Sequence, residues 1–235
     1  MLKNTLINRM ATVKIAKALG ELNQEVVFVG GAMVSLYIDD TSAEDIRPTK
    51  DIDLTFQIFS VQELETLRQK LVIKGFQEQA DSTIICRFAF DDLLVDIMST
   101  KGVGWAPGNR WFESGFAKAE TVLLEGLNVR ILPLPYFLAS KIDAFFDRGK
   151  HDLLASHDFE DIVYLFNYTS DIAEKIRHSG DLEVISYLAG CAREILGNEK
   201  MMDALPGHLF YADTDERMDM IIAKMEVLAN MTGEI

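Results

Sequence analysis

Residues 28–56, with the sequence FVGGAMVSLYIDDTSAEDIRPTKDIDLTF, decide the fold that we predict for this chain. The stretch begins in an apolar run that stops at Gly30 and Gly31, and it ends in a second apolar run that contains Asp51 and Asp53. Side chains alternate between the two faces of a strand, so both carboxylates lie on one face while the apolar residues between and after them face the core. The stretch therefore predicts two strands, the first followed by a glycine pair and the second carrying an acidic pair.

The acidic pair has the chemistry of a site for a hard cation. Two neighbouring carboxylates repel each other and are costly to desolvate, so a half-buried strand that carries both usually has a compensating cation or a solvated edge. Mg²⁺ prefers oxygen ligands and is commonly held by one or two carboxylates together with substrate phosphates. The glycine pair precedes residues 32–38, which could form a helix whose N-terminus approaches a phosphate. A polar strand end also explains the D-x-D spacing, and both interpretations stay open on this evidence.

A third acid, Asp96, lies in the apolar run of residues 93–98. This run and residues 83–90 are apolar, rich in residues that favour strands, and separated by two aspartates, which predicts a β-hairpin. The hairpin would bring Asp96 beside the strand that carries Asp51. Taken alone, Asp96 is equally well explained as an ordinary strand terminus.

The composition is that of a globular protein with no membrane span. Of 235 residues, 49% are hydrophobic and 26% are charged, enough for one large domain or two small ones. No apolar run approaches the roughly 18 residues of a membrane span, and the first residues lack a signal-peptide core, so we expect a cytoplasmic protein. The net charge of −14 argues against a protein that coats nucleic acid, although it does not exclude RNA as a substrate.

Two prolines after residue 132 separate two kinds of pattern. Strand and helix patterns alternate before them, and only helical patterns follow. We therefore predict an α+β protein, with a mixed β-sheet core flanked by helices in residues 1–132 and an all-helical part in residues 133–235. Residues 101–115 are rich in glycine and aromatic residues and have no clear period, and we expect them to form a flexible loop over the acids.

The start of the helical part carries a charged pattern. Lys141, Ala144 and Arg148 have the i, i+3 and i+7 spacing of a single helix face. A small residue between two cations leaves room for an anion such as a triphosphate, although a solvated face with extended Lys and Arg side chains fits equally well. Asp158 and Asp161 begin the next helical pattern, where acids suit the helix dipole without any chemistry.

Together these motifs resemble the DNA polymerase β-like nucleotidyltransferase superfamily, which has a glycine pair after a strand, a D-h-D motif and a third acid on a neighbouring strand. More narrowly, RPTKDID at residues 47–53 is similar to the R-x-T-x-D-I-D motif of the AbiE-type (AbiEii) toxin nucleotidyltransferases of type IV toxin–antitoxin systems. The charged pattern from Lys141 to Asp161 follows two further helical motifs of that family, with His157 where a basic residue is usual. The acidic loop at residues 39–45 makes the gap between glycines and acids longer than in compact members of the superfamily.

The resemblance implies transfer of a nucleoside monophosphate from an NTP to a hydroxyl, with release of pyrophosphate. It implies two Mg²⁺ ions, held by Asp51, Asp53 and Asp96. It also implies that Lys141 neutralises the triphosphate and that Asp158 orients Lys141. The residues that it implies for nucleotide binding are Gly30, Gly31, Arg47, Thr49, Lys50, Lys141 and Arg148.

Three functions remain open, and they differ mainly in the acceptor. The family motifs favour an RNA acceptor such as tRNA, modified by a toxin that has an antitoxin partner. An acidic protein would suit a small cationic acceptor such as an aminoglycoside. A catalytically silent nucleotide-binding module is the third, and clustered acids argue against it because a protein without a metal gains nothing from their repulsion. An RNA acceptor would need basic and aromatic contacts, for which the candidates are Lys50, Lys101, Arg110, Lys118, Arg148 and Lys150, with Trp105 and Trp111.

Overall fold

The computed structural model describes residues 2–79, 86–178, 181–209 and 214–231. The chain forms two compact units. The first contains Met1–Leu36 and Glu44–Pro133, and the second contains Tyr37–Ala43 and Leu134–Ile235. In the described part of the chain, no helix is long and apolar enough to cross a membrane.

The first unit is built on a mixed β-sheet. Among the described residues its strands are β1 (Val26–Val29), β2 (Asp51–Phe56), β3 (Gln77–Glu78), β4 (Arg87–Phe90), β5 (Leu93–Ser99), β6 (Glu120–Leu124) and β7 (Leu127–Ile131). They form one seven-stranded sheet in the order β3-β4-β5-β2-β1-β7-β6. β2 is antiparallel to β1 and parallel to β5, whereas β1 is parallel to β7. The sheet thus combines both pairing types, as predicted for the α+β class.

The centre of the sheet is the apolar core of the first unit. β1 is buried along its whole length, because a run of four apolar residues suits a strand that is covered on both faces. On β2, Ile52 and Leu54 are buried, while Asp51 and Asp53 on the other face remain partly exposed. The α-helices that accompany the sheet in the described part of this unit are α1 (Lys3–Leu19), α2 (Val61–Ile73) and α3 (Phe112–Ala117).

Local sequence signals set several element ends. A capping box begins α2, because the Ser60 hydroxyl accepts from the Glu63 N–H and the Glu63 carboxylate accepts from the Phe59 N–H. The predicted β4–β5 hairpin is confirmed, although residues 83–85 of its predicted first strand lie outside the described residues. The helix predicted at residues 32–38 is a short 3₁₀ helix, Gly31–Leu36.

The loop prediction for residues 101–115 is wrong. Trp105 packs against Phe88, with ring centroids 5.9 Å apart. Phe88 pairs with Val95, so it lies on the sheet face opposite the one that carries the neighbouring residue Asp96. This part of the segment therefore covers the face away from the acids.

The second unit is helical in its described part. Its helices are α4 (Leu134–Ala144), α5 (His157–Tyr168), α6 (Ile172–Arg177), α7 (Leu182–Leu196), α8 (Glu199–Ala204) and α9 (Thr214–Ala229). Fully buried aromatic side chains, among them Phe137, Phe159 and Phe166, form the core. Tyr37 stacks on Phe137, with ring centroids 4.4 Å apart, which is why a segment from early in the chain belongs to this unit.

The acidic loop supplies a long-range cap to α1. The helix begins without a capping side chain of its own, and the Asp45 carboxylate accepts from the backbone N–H groups of Asn4 at 2.7 Å and Thr5 at 3.0 Å. Burial alone would raise the pKa of Asp45, but these hydrogen bonds outweigh it and the pKa lies below its ordinary value of 3.8. The acidic loop thus satisfies two backbone N–H groups in the first turn of α1.

We expect Asp45→Ala to lower the free energy of unfolding by about 1 kcal/mol, the usual cost of a lost N-cap. Because the folded pKa is lowered, this stabilisation is present above the unfolded pKa of 3.8 and disappears as the pH falls through the folded value. Urea denaturation of both proteins across that acidic range measures the effect. The Asp45→Asn control keeps an acceptor oxygen and should recover part of the stability without the pH dependence. Equal stability of Asp45→Ala and the native protein would contradict the capping role.

Candidate active site

Charged side chains from three adjacent strands meet on one face of the sheet. Asp53 on β2 pairs with Asp96 on β5, and Asp96 pairs in turn with Arg87 on β4. Directly paired residues of neighbouring strands share a face, and Asp51 shares it too because it lies two residues before Asp53. The structure therefore places the three predicted acids on one face of the sheet, with an arginine in the same row.

Arg87 is the residue of this cluster that the sequence analysis missed. Its Nε and Nη2 atoms each donate to one oxygen of Asp96, both at 2.7 Å, and Nη2 also donates to Asp51 at 2.7 Å. The hydrogen bonds to Asp96, aided by the other nearby acids, raise the pKa of Arg87 above its ordinary value. The sequence of the hairpin indicates this pairing, because counting outward from its two-residue turn places Arg87 opposite Asp96.

The three ionic groups differ in their exposure. The Asp96 side chain is 9% exposed and Arg87 is 16% exposed, whereas Asp51 is 34% exposed. A carboxylate as buried as Asp96 needs a paired cation, because an uncompensated buried charge is strongly destabilising. Arg87 supplies that charge, and the open side of the cluster is the side of Asp51.

Gly30 lies against the acid cluster. It follows β1 with a φ of +74°, and a Cβ atom there would lie 1.7 Å from a carboxylate oxygen of Asp53. A larger residue would have to displace this side chain. At Gly31, a Cβ would lie 2.5 Å from the Arg47 guanidinium and 2.9 Å from the Thr49 methyl group. The glycine pair is therefore packed directly against the predicted site residues.

A buried asparagine of α1 fixes the segment before β2. Asn8 accepts from the backbone N–H and the hydroxyl of Thr49, both at 3.3 Å, and donates to the Arg47 carbonyl at 3.4 Å. These contacts brace the residues that lead to Asp51. Lys50, the last residue of the segment, is exposed. No sequence pattern pointed to Asn8, because it lies in a helix that is remote in sequence from the motif.

The acids have suitable chemistry for a divalent cation, since carboxylate oxygens are the ligands that Mg²⁺ prefers. Asp51, Asp53 and Asp96 fit such an ion in ligand type and in sharing one face of the sheet. Across residues 2–79, 86–178, 181–209 and 214–231, however, no group of three or more His, Cys, Asp or Glu side chains is close enough to hold a metal. Arg87 contacts two of the three acids, and this contact would have to change for an ion to bind between them.

A second charged cluster lies within the helical unit. Lys141 on α4 is buried, with its ammonium group 2.7 Å from Asp161 and 3.6 Å from Asp158 on α5. Asp158 also accepts from Arg148 at 2.9 Å. Asp161 is thus nearer to Lys141 than Asp158, the residue that the family resemblance assigns to orienting it. His157 is exposed and lies 3.3 Å from Glu160.

Several residues that were predicted to contact RNA instead contact other side chains of the protein. Trp111 is 2% exposed, so its predicted stacking on a base is wrong. Arg110 lies 4.8 Å from the centre of the Trp111 ring. Carboxylates pair with three further candidates, as Lys101 contacts Glu113, Lys150 contacts Glu194 and Arg148 contacts Asp158.

A cavity of about 750 Å³ also lies in the first unit, but the three acids do not line it. Its walls include Phe56, Lys70 and Arg130. Because Phe56 is the last residue of β2 and Asp51 is the first, this cavity lies at the other end of the strand from the acids.

A family model described as "Nucleotidyl transferase AbiEii toxin, Type IV TA system" matches residues 16–230. The chain belongs to this family. The match includes the acids of the sheet and the helices α4 and α5 of the second unit. The activity of this AbiEii protein is nucleotidyl transfer. The family predicted from the motifs is confirmed.

One of the similar solved structures shares the fold of this AbiEii protein. JHP933 from Helicobacter pylori is 15% identical, with a TM-score of 0.51, and the match covers 97% of this chain and 93% of that one. An antigenic nucleotidyltransferase-like protein from Paracoccidioides brasiliensis is 15% identical, with a TM-score of 0.45 and coverage of 77% and 91%. The antibiotic-resistance factor ANT(2'')-Ia is 17% identical, with a TM-score of 0.45 and coverage of 74% and 89%. Comparison with curated proteins gave no match.

Gly30→Ala should lower the free energy of unfolding of the AbiEii protein by more than the positive φ alone costs an alanine. The φ of +74° costs an alanine about 1 to 2 kcal/mol, and the clash with Asp53 adds to that loss. Gly126→Ala is the matched control, because its φ is +82° and nothing lies within 4 Å of its Cβ position. Urea denaturation measures both losses in the free energy of unfolding. Equal losses would show that the Asp53 carboxylate moves aside without cost.

Proposed function

We propose that this AbiEii protein transfers a nucleoside monophosphate from an NTP to a hydroxyl group of an RNA such as tRNA, in a reaction that depends on Mg²⁺. The observation that carries the proposal is the row in which Asp53 pairs with Asp96, with Asp51 two residues away on the same face and Gly30 packed against Asp53. Three carboxylates on one face beside a glycine turn have little structural benefit of their own, because their mutual repulsion destabilises the sheet.

In this proposal Asp51, Asp53 and Asp96 hold two Mg²⁺ ions. When bound, these ions would polarise the phosphate and increase the acidity of the attacking hydroxyl. The carboxylates fix the position of the triphosphate relative to the acceptor, and the lack of a side chain at Gly30 leaves room for the Asp53 carboxylate. The partly exposed Asp51 lies on the side from which substrate would enter.

The backbone at Gly30 and Gly31 approaches the phosphates in this mechanism. Glycine allows such an approach because it has no side chain of its own to keep a ligand away from the backbone amide. Arg47 and Thr49 pack against Gly31 and hold its backbone in place, and Asn8 fixes both of them through hydrogen bonds. Lys50 is exposed beside Asp51 and supplies a cation for the nucleotide.

Lys141 is proposed to neutralise negative charge on the triphosphate, with Arg148 as a second cation. What supports this role is the resemblance of the charged helical pattern to the family, and both residues lie within the matched residues 16–230. Asp158 contacts both Lys141 and Arg148, so it is proposed to position the two cations. One positioned cation can contribute several kcal/mol of transition-state stabilisation.

The AbiEii family, described as the toxin of a type IV system, supports a toxin with an antitoxin as its partner, and RNA is the proposed acceptor. A small cationic acceptor, such as an aminoglycoside, is the second candidate. It is favoured by the net charge of −14, by the burial of Trp111, and by the carboxylates that pair with Lys101 and Lys150. An acidic surface attracts a cationic substrate and repels nucleic acid.

Asp53→Ala should reduce transfer by at least about a hundredfold, the loss typical when one electrostatic contact to the transition state is removed. The assay incubates the protein with each labelled NTP, total RNA and Mg²⁺, and measures the labelled product. Asp92→Ala is the control, because its carboxylate is exposed at the β4–β5 turn. Circular dichroism should show that both variants remain folded. Transfer by Asp53→Ala at the native rate would contradict the proposed role of the acids.

The choice of acceptor is tested by the dependence of transfer on salt. With four phosphate contacts, transfer to RNA at subsaturating concentration should fall about 50-fold between about 50 and 200 mM salt, because each contact releases counterions. A panel of aminoglycosides is offered in parallel with the same labelled NTPs. Label that appears only in the aminoglycosides would overturn the RNA proposal and support the second candidate.

A further inference from the structure

We infer that Arg87 competes with divalent cations for Asp51 and Asp96, so that metal loading requires the guanidinium to leave these acids. This inference rests on the proposed function in one respect, namely that both acids are metal ligands. Arg87 thereby sets the affinity of the acids for a divalent cation. Arg87 is a positioning residue here, because it acts through the two carboxylates.

The contacts of Arg87 use the oxygens that a metal would need. Both oxygens of Asp96 accept from the guanidinium at 2.7 Å, and one oxygen of Asp51 accepts from it at the same distance. A metal ion on these oxygens would lie within a few ångströms of a full positive charge, and the repulsion at that range is large in a partly buried site. The two cations therefore exclude each other.

The fold holds Arg87 at this position. Its backbone pairs with Asp96 in the β4–β5 hairpin, and its side chain is only 16% exposed. An arginine does not lose its proton in proteins, and here the hydrogen bonds to Asp96 raise its pKa further. The guanidinium can therefore leave the acids only by moving, and not by losing its charge.

Arg87 also stabilises the sheet before metal binds. It neutralises part of the repulsion among the acids and compensates the buried charge of Asp96. The same contact therefore stabilises the fold and weakens metal binding. Removing Arg87 should change these two properties in opposite directions, a result that a merely structural arginine would not give.

The test measures Mn²⁺ binding to the full chain by calorimetry, in the absence of NTP. Arg87→Met keeps most of the apolar stem and removes the charge. It should bind Mn²⁺ at least about tenfold more tightly than the native protein, because the competing charge is gone. Arg68→Met is the matched control, since Arg68 is also paired with two carboxylates, Glu65 and Glu78. Its affinity for Mn²⁺ should equal that of the native protein.

Thermal unfolding supplies the second readout. Without metal, Arg87→Met should melt below the native protein, and Mn²⁺ should raise its melting temperature by more than it raises that of the native protein. An affinity for Mn²⁺ that is unchanged or weaker in Arg87→Met would overturn the inference. So would the absence of Mn²⁺ binding in both proteins.

A measurement on the native protein covers the case in which Arg87→Met does not fold. The side-chain Nε resonance of Arg87, assigned by comparison with Arg87→Lys, should shift as Mg²⁺ is added. A resonance that stays unchanged at saturating Mg²⁺ would overturn the inference. None of these measurements depends on catalysis. If metal binds as expected but no acceptor is labelled in the transfer assay, only the proposed function is overturned.

Discussion

The parallel pairing of β2 with β5 is the constraint on which the site in the first unit depends. It places Asp53 beside Asp96 in the interior of the sheet, where two ionised carboxylates are costly. The β4–β5 hairpin compensates this cost by placing Arg87 next to Asp96. A shift of one residue in the register of that hairpin would move Arg87 to the other face of the sheet. The compensation of the Asp96 charge therefore depends on the register.

The glycine pair shows how closely the backbone approaches this row. Gly30 has no room for a side chain because Asp53 fills the space, and Gly31 has none because Arg47 and Thr49 do. The conformational freedom of glycine is needed at the first position, where φ is positive, while the second position is determined by space alone. The motif residues therefore form one packed group, and the acidic strand and the glycine turn cannot change independently.

The helical unit balances charge in the same way. Lys141 is buried with two carboxylates around it, as Asp96 is buried beside a guanidinium. Desolvated ions of either sign persist only with a partner, because an unpaired buried charge costs several kcal/mol. Residues of the acidic loop also have partners in their own units. Asp39 pairs with Lys175 in the helical unit, and Asp45 caps α1 in the first unit.

The sequence by itself determined the elements whose signals are local. It predicted the α+β class, the family, the shared face of Asp51 and Asp53, and the hairpin that carries Asp96, because strand alternation and turn residues are encoded within a few positions. Only the tertiary structure decided which distant groups meet. It placed Trp105 on the face away from the acids and brought Arg87 of β4 into contact with Asp51 of β2. Such contacts depend on strand order and side-chain packing, which no local pattern specifies.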